Sequence, residues 1–147
     1  SGMKKATVLR VTFPDGTVIS DSRAVETLKK CIIKFGPERV AQLCLQPVDS
    51  ILQLNRVNLV TKKRDEMYAN RQHNIGNGWL VFTCSNTPSK KRQIETIAKA
   101  AIAVGADGIF METHPNPKEA KSDGANMLPL AQVESLLQKL IRIKQAL

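Results

Sequence analysis

Two carboxylates and an imidazole lie close together near the end of the chain. Glu112, His114 and Asp123 fall within GIFMETHPNPKEAKSDGANML, residues 108–128. Carboxylate oxygens suit Mg²⁺ or Mn²⁺, and together with an imidazole they also bind Fe²⁺ or Zn²⁺. Catalytic metal sites usually take three protein ligands, so two carboxylates alone form an incomplete set. The alternative is that both are solvated loop residues, with Asp123 and Gly124 forming a turn.

The elements that would position these side chains are a strand and a returning loop. A short apolar run, Ile109 to Met111, precedes Glu112 and is typical of a buried strand. Pro115 and Pro117 follow, and neither offers a backbone N–H to a helix or a ladder. The sequence therefore predicts a buried strand with Glu112 at its exit. Loops at strand ends often carry functional residues, so the loop after Glu112 is a candidate site.

The same residues carry a family resemblance. GADGIFMETHPNPKEAKSDGANMLPL resembles the last β/α unit of Kdo-8-phosphate synthase (2-dehydro-3-deoxyphosphooctonate aldolase), and the resemblance extends over about residues 94–147. It implies a TIM-barrel ancestry, condensation of phosphoenolpyruvate with arabinose 5-phosphate, and a role in lipopolysaccharide biosynthesis. In metal-dependent members the Glu of ETHP and the Asp of SDG bind the metal. The resemblance therefore implies that Glu112 and Asp123 are ligands of a divalent metal.

Other parts of the family pattern are missing from this sequence. The family also uses a Cys in an early strand, a His before a Ser-Val-Gln block, and Lys and Arg residues for two phosphates. None of these motifs is found here, so no catalytic residue is assigned. A complete barrel takes about 250 residues, whereas this chain has 147. We therefore expect an α/β (α+β) fold that is not a complete TIM barrel, and a chain that is inactive in isolation.

Basic residues are concentrated in the first part of the chain. Residues 1–92 hold 16 Lys and Arg against 7 Asp and Glu, whereas residues 93–147 hold 6 of each. Basic clusters near Tyr68 and Trp79 are typical of a phosphate-tracking patch with a stacking surface. This favours an alternative function, a non-enzymatic binding module for nucleic acid or an acidic partner through residues 62–92. The structural alternative is an ordinary solvated basic face with Trp79 in the core. The candidate binding residues are Lys62, Lys63, Arg64, Arg71, Lys90, Lys91 and Arg92.

Hydrophobic periodicity and turn residues predict the order ββα(α)ββαβα, a small mixed sheet packed by three to four helices. The second strand pair is expected at residues 57–62 and 79–83, Gly36 and Gly105 are expected to end helices, and Cys44 is expected on the buried side of a short helix over residues 38–45. The sequence divides into a basic ββαββ segment, residues 1–92, and a helix-strand-loop-helix segment, residues 93–147, packed as one unit. The change in composition inside the helix over residues 89–100 suggests a fusion point. The last helix is expected to start at Pro129, with the apolar stripe Leu130, Val133, Leu136, Leu137, Leu140 and Ile141.

The cysteines and the hydropathy pattern argue against a disulfide-rich, zinc-knuckle or membrane-spanning protein. Three cysteines without C-x-x-C spacing disfavour a disulfide framework or a zinc knuckle. Cys31 falls on an apolar helical stripe, which indicates a core residue rather than a nucleophile. No apolar run approaches the ~18 residues of a membrane span, and no signal peptide is recognisable. We expect a cytoplasmic protein without membrane partners, and a homo-oligomer is left open.

Overall fold

The computed structural model describes residues 8–46, 57–83, 89–121 and 124–147, apart from the side chains of residues 89–92 and 125. Within these ranges the chain forms four α-helices and seven short strands in three small sheets. None of the described sheets closes into a barrel. The predicted α/β (α+β) class without a complete TIM barrel is confirmed.

An antiparallel hairpin opens the described part of the chain and leads into two helices. Strand β1 (Arg10–Thr12) pairs with β2 (Val18–Ser20), as the sequence predicts. Helix α1 (Ala24–Phe35) follows, and α2 (Pro37–Ala41) comes directly after it. Gly36 has φ of 94°, a conformation that favours glycine and ends α1.

The middle sheet has three antiparallel strands, whereas the sequence predicts two. Strand β5 (Trp79–Phe82) lies between β3 (Val60–Thr61) and β4 (Gln72–Gly76). The predicted pairing of the strands at residues 57–62 and 79–83 is confirmed by the β3–β5 ladder. The missed strand is β4, an edge strand whose sequence QHNIG is mostly polar and lacks the apolar run that marks the other two strands.

The last part of the chain alternates between helices and very short strands. Helix α3 (Ser89–Ala103) precedes β6 (Glu112–His114), which pairs in parallel with β7 (Met127–Pro129). Helix α4 (Val133–Gln145) ends the chain. Gly105 has φ of 98°, consistent with the predicted left-handed end of α3.

Two hydrophobic cores share helix α3. The larger core joins the hairpin, α1, α2 and the middle sheet to α3, and Cys31, Ile32, Val81 and Ala100 in it are fully inaccessible to solvent. The smaller core lies between α3 and α4 and contains Ala98, Ile102, Leu128, Leu136 and Leu140. Since α3 contributes to both, the two parts of the chain are in contact through it. The division at residue 92 stays a prediction.

Several local predictions differ from the structure. The apolar run Ile109–Met111 is not a strand, because the ladder begins at Glu112, and the Phe110 side chain is 92% exposed. Cys44, predicted to be buried, is exposed in a left-handed turn after α2, with φ of 49°. A 3₁₀ turn at Leu130–Gln132 delays the start of the last helix to Val133.

None of the helices within the described residues is long and apolar enough to cross a membrane.

Candidate functional site

The parallel strand pair places Glu112 on the side of the strand that faces away from the helices. Ile109 and Met111 pack against the core between α3 and α4, while Phe110 between them is exposed. Since side chains along an extended chain alternate, Glu112 shares the open side with Phe110. Glu112 is exposed, and its Cα is paired with that of Met127 across the ladder. The carboxylate is thus available to a partner lying on that side.

His114 is held by its own loop. Its Nδ1 atom accepts a hydrogen bond from the backbone N–H of Asn116 at 2.9 Å. A neutral imidazole that accepts at Nδ1 carries its proton on Nε2, so neither nitrogen presents a free lone pair. In this loop conformation His114 is therefore not arranged to bind a metal.

The loop between β6 and β7 is closed by a glycine contact. A Cβ atom added at Gly124 would lie 2.4 Å from the carbonyl oxygen of Pro117, far inside van der Waals contact. Pro117 itself is buried. Only glycine fits at residue 124, and this contact brings the chain back beside β6. Asp123, the second predicted ligand, lies outside the described residues.

Asn126 connects this loop to the first strand of the chain. Its Oδ1 accepts a hydrogen bond from the backbone N–H of Arg10 at 2.6 Å, and its Nδ2 donates to the carbonyl oxygen of Val8 at 2.8 Å. One side-chain amide thus satisfies the backbone N–H at the first residue of β1 and a carbonyl oxygen two residues before it. Sequence reasoning missed this residue, since its partners are more than 100 positions away and leave no local signal.

The described residues do not by themselves fit a complete metal site. Among residues 8–46, 57–83, 89–121 and 124–147, no group of three or more His, Cys, Asp or Glu side chains could hold a metal ion. Glu112 would need ligands beyond these ranges. Carboxylates remain suitable donors for Mg²⁺ or Mn²⁺, which usually take several oxygen ligands.

The basic cluster at the end of β3 is exposed beside an open groove. Lys62, Lys63 and Arg64 are all exposed, and Arg64 Nη1 donates to the Ala69 carbonyl oxygen at 3.3 Å. The groove has a volume of about 470 Å³. Its walls carry both signs of charge, with lining residues Val57, Asn58, Thr61, Lys63, Arg64, Asp65 and Glu66.

The two aromatic rings near this cluster already have neighbours. Lys62 Nζ lies 4.9 Å from the centroid of the Trp79 ring, which is partly buried against the larger core. Tyr68 meets Phe82 edge to face, with centroids 6.4 Å apart. A ring covered by an ammonium group and a ring packed on a phenylalanine offer little free area for base stacking.

Hydrogen bonds from side chains hold the residue 62–72 connection in place. The buried Gln72 accepts from the Asp65 backbone N–H at 2.7 Å and donates to the Lys63 carbonyl oxygen at 3.1 Å. Asp65 Oδ1 accepts from the backbone N–H groups of Met67 and Tyr68 at 2.9 and 3.0 Å. The polar, mixed composition of residues 63–77 predicts a mobile connection, whereas these hydrogen bonds fix its first part. The Asp65 turn was detectable from residue type, whereas the role of Gln72 was not.

The remaining candidate basic residues belong to two other places in the fold, the turn before β4 and the first turns of α3. Arg71 ends a 3₁₀ turn, Ala69–Arg71, directly before β4, and its carbonyl oxygen accepts from the Thr83 backbone N–H at 2.8 Å. Lys90, Lys91 and Arg92 belong to the first turns of α3, and their side chains are outside the described set.

Cys31 is a core residue, as predicted. Its side chain is fully inaccessible, and burial raises the pKa of the thiol to about 12. A thiol that ionises only at such a pH is a poor nucleophile at neutral pH.

The sequence of this chain matches a known protein family. The sequence profile of the DAHP synthetase I family matches residues 60–147, so the match begins upstream of residue 94, where the resemblance begins in the sequence analysis. No solved structure matches the chain.

Curated relatives are similar over shorter stretches. The chain is 52% identical to the 2-dehydro-3-deoxyphosphooctonate aldolase of Desulfosudis oleivorans over 64 residues, 44% of this chain and 22% of the relative. It is 54% identical to the enzyme of that name from Dichelobacter nodosus over 56 residues, 38% of this chain and 20% of the relative. The chain is 45% identical to the enzyme of that name from Burkholderia multivorans over 62 residues, 42% of this chain and 22% of the relative. The chain thus spans about a fifth of these relatives. Because the family profile covers more than half of the chain, this protein belongs to the DAHP synthetase I family.

Proposed function

We propose that residues 93–147 supply the last β/α unit of a site that condenses phosphoenolpyruvate with arabinose 5-phosphate. The observation that carries the proposal is the 52% identity with a protein named 2-dehydro-3-deoxyphosphooctonate aldolase. The geometry is compatible with it, since Glu112 is exposed on the side of the strand away from α3 and α4. Lipopolysaccharide biosynthesis in the cytoplasm is the setting that this chemistry implies.

Within that proposal, Glu112 and Asp123 are two ligands of a divalent metal. The remaining ligands, and the cations that hold two substrate phosphates, come from parts of a barrel other than the described residues. A carboxylate pair without a third ligand binds metal weakly. The 147-residue chain alone is therefore proposed to lack turnover, because about 250 residues are needed to build the complete barrel.

The test separates turnover from ligand assignment. Phosphate release from phosphoenolpyruvate is measured with arabinose 5-phosphate and Mn²⁺, and the isolated chain is expected to give no release above background. Mn²⁺ binding is followed separately by the loss of the free-ion electron paramagnetic resonance signal. Glu112→Gln should abolish the weak binding, while Glu119→Gln, an exposed carboxylate of the same loop, should leave it unchanged.

Each outcome has a distinct meaning. Release that requires both substrates would contradict inactivity in isolation and support the reaction. Equal Mn²⁺ binding by the wild type and Glu112→Gln would contradict the ligand assignment.

A second candidate function is binding of nucleic acid or another polyanion at Lys62, Lys63 and Arg64. The specific observation is that these three consecutive cations are exposed and that two of them, Lys63 and Arg64, line one groove. Arg71, Lys90, Lys91 and Arg92 are proposed as contributors to the same surface. The covered rings of Tyr68 and Trp79 favour phosphate contacts over base stacking.

The experiment is retention on single- and double-stranded DNA as a function of salt. Binding that persists at about 50 mM salt and falls steeply by about 200 mM would support phosphate contacts. Lys63→Gln with Arg64→Gln should weaken it, whereas the control pair Lys118→Gln with Lys121→Gln, exposed cations of the β6–β7 loop, should not. Absent or salt-insensitive retention would contradict the proposal.

A further inference from the structure

Helix α4 buries only part of its apolar surface. Leu136 and Leu140 are 3% and 7% exposed and pack against α3. Leu137 and Ile141, which belong to the same predicted stripe, are 45% and 55% exposed. The helix is therefore apolar over a wider arc than its contact with α3 covers.

The exposed face of α4 carries acidic, apolar and basic residues in a fixed order along the helix. Glu134, Leu137, Ile141 and Lys144 are separated by three, four and three residues, which places them on one face of the helix. All four are exposed. The acidic residue lies at the amino end of this stripe, the basic residue lies at the carboxyl end, and the two apolar residues lie between them.

We propose that this stripe is the contact between two copies of the chain, with the two α4 helices antiparallel. A two-fold axis midway between Leu137 and Ile141 sets Leu137 against the partner's Ile141. The same axis sets Glu134 against the partner's Lys144. Each contact then occurs twice, as an isologous interface requires. The pattern is self-complementary in apolar area and in charge.

Charge favours a second copy in this orientation over a parallel one. A parallel pair would set Lys144 against the partner's Lys144 and Glu134 against the partner's Glu134, and like charges at such contacts are unfavourable. Residues 93–147 hold equal numbers of acidic and basic residues, so the net charge of +9 lies outside the part of the chain that forms the contact.

The intramolecular contact of Lys144 does not compete strongly. Its Nζ lies 3.8 Å from Asp107 Oδ1, and both side chains are at least half exposed. Ion pairs of this kind contribute little to stability. Lys144 can therefore turn toward a partner helix at small cost.

The test is sedimentation velocity on the full chain from about 1 μM to about 1 mM, the range that resolves weak specific association. The wild type is expected to convert from monomer to dimer with rising concentration. Leu137→Asp should weaken association about tenfold or more, because it places a charge in the centre of the contact. Ile33→Asp is the matched control, since Ile33 is 50% exposed but lies on α1, and it should leave the dimer unchanged.

A charge exchange tests the antiparallel arrangement. Glu134→Lys and Lys144→Glu should each weaken association, and the double variant should restore it, because the double variant re-forms opposite charges across the axis. A wild type that stays monomeric throughout the range would overturn the proposal and favour another helix as the covering element. A dimer insensitive to Leu137→Asp, or a double variant weaker than both single variants, would also overturn it.

Discussion

The larger core and the α3–α4 core differ in how completely they enclose their apolar residues. In the larger core, side chains from the hairpin, α1, α2, the middle sheet and α3 surround one another, and four of them are fully inaccessible. In the smaller core, α4 places two leucines against α3 and leaves Leu137 and Ile141 half exposed. Phe110, beside this core, is 92% exposed.

This difference shows that family signature and self-sufficient packing are separate properties. The ETHP residues lie beside the smaller core, since β6 pairs with β7 and Leu128 of β7 is part of that core, yet Phe110, Leu137 and Ile141 remain exposed here. The larger core includes α1 and the hairpin, which precede the family match. A signature loop depends on its own short-range contacts, whereas a complete core needs partners on every side.

The largest expected effect tests this difference in enclosure. Leu28→Ala should lower the free energy of unfolding by about 3–5 kcal/mol, because a tightly enclosed cavity cannot collapse. Leu136→Ala should cost less, about 2–3 kcal/mol, because its exposed neighbours can move into the space. Urea unfolding measures both, with exposed Leu137→Ala as the control. Equal losses for Leu28→Ala and Leu136→Ala would contradict the difference in enclosure.

The next largest loss of stability is expected for a substitution of Gly124, in the loop between β6 and β7. Gly124→Ala should lower the free energy of unfolding by about 1–3 kcal/mol, since its methyl group would collide with the Pro117 carbonyl oxygen. Gly108→Ala is matched to it, because nothing lies within 4 Å of a Cβ at residue 108 and its cost should be small. Thermal unfolding of the two variants gives the comparison. Equal melting temperatures would show that the loop relaxes.

A somewhat smaller effect should come from the connection between the hairpin and the loop. Asn126→Ala removes the hydrogen bonds to Arg10 and Val8, for an expected loss of about 1–2 kcal/mol. Hydrogen exchange should accelerate at the Arg10 amide. Asn116→Ala serves as a control, since Asn116 is exposed and its backbone makes the hydrogen bond with His114. Unchanged protection at Arg10 in Asn126→Ala would mean that the two regions do not stabilise each other there.

The smallest expected effect is a pH dependence at the α3–α4 contact. Burial opposes ionisation of Glu95, but hydrogen bonds from Lys139 at 2.8 Å and Lys99 at 3.1 Å outweigh it, so its pKa is lowered from 4.5. A lowered folded-state pKa stabilises the fold above the unfolded value, and this stabilisation is lost as the pH falls through the folded-state value.

The variant Glu95→Gln should therefore be less stable than the wild type by about 1 kcal/mol at neutral pH. The difference should shrink below pH 4.5. Urea unfolding across this range measures the difference, with Glu119→Gln as the exposed control. A difference that stays constant with pH would exclude this ion pair as its source.

Local sequence signals predicted most of the helices and the position of Glu112 in the candidate site. Gly36 and Gly105 end helices where the sequence predicts, because a left-handed conformation is a property of the residue itself. Glu112 does follow an apolar run, although the ladder starts one residue later than that run ends. Polar β4 was missed because its sequence QHNIG lacks the run of apolar or β-branched residues that marks a strand. Asn126 was missed because its backbone partners lie more than 100 residues away, and Gln72 was missed because its partners, seven and nine residues away, follow no recurrent turn spacing.

The indole of Trp79 gives the molecule an optical reporter for one region only. It is the single tryptophan of the chain, and it lies under Lys62 at the margin of the larger core. Fluorescence will therefore follow the melting of that region, whereas helical ellipticity reports α1, α3 and α4 together and so includes the other region. Coincident transitions would indicate one cooperative unit, and a separate helical transition would reveal two.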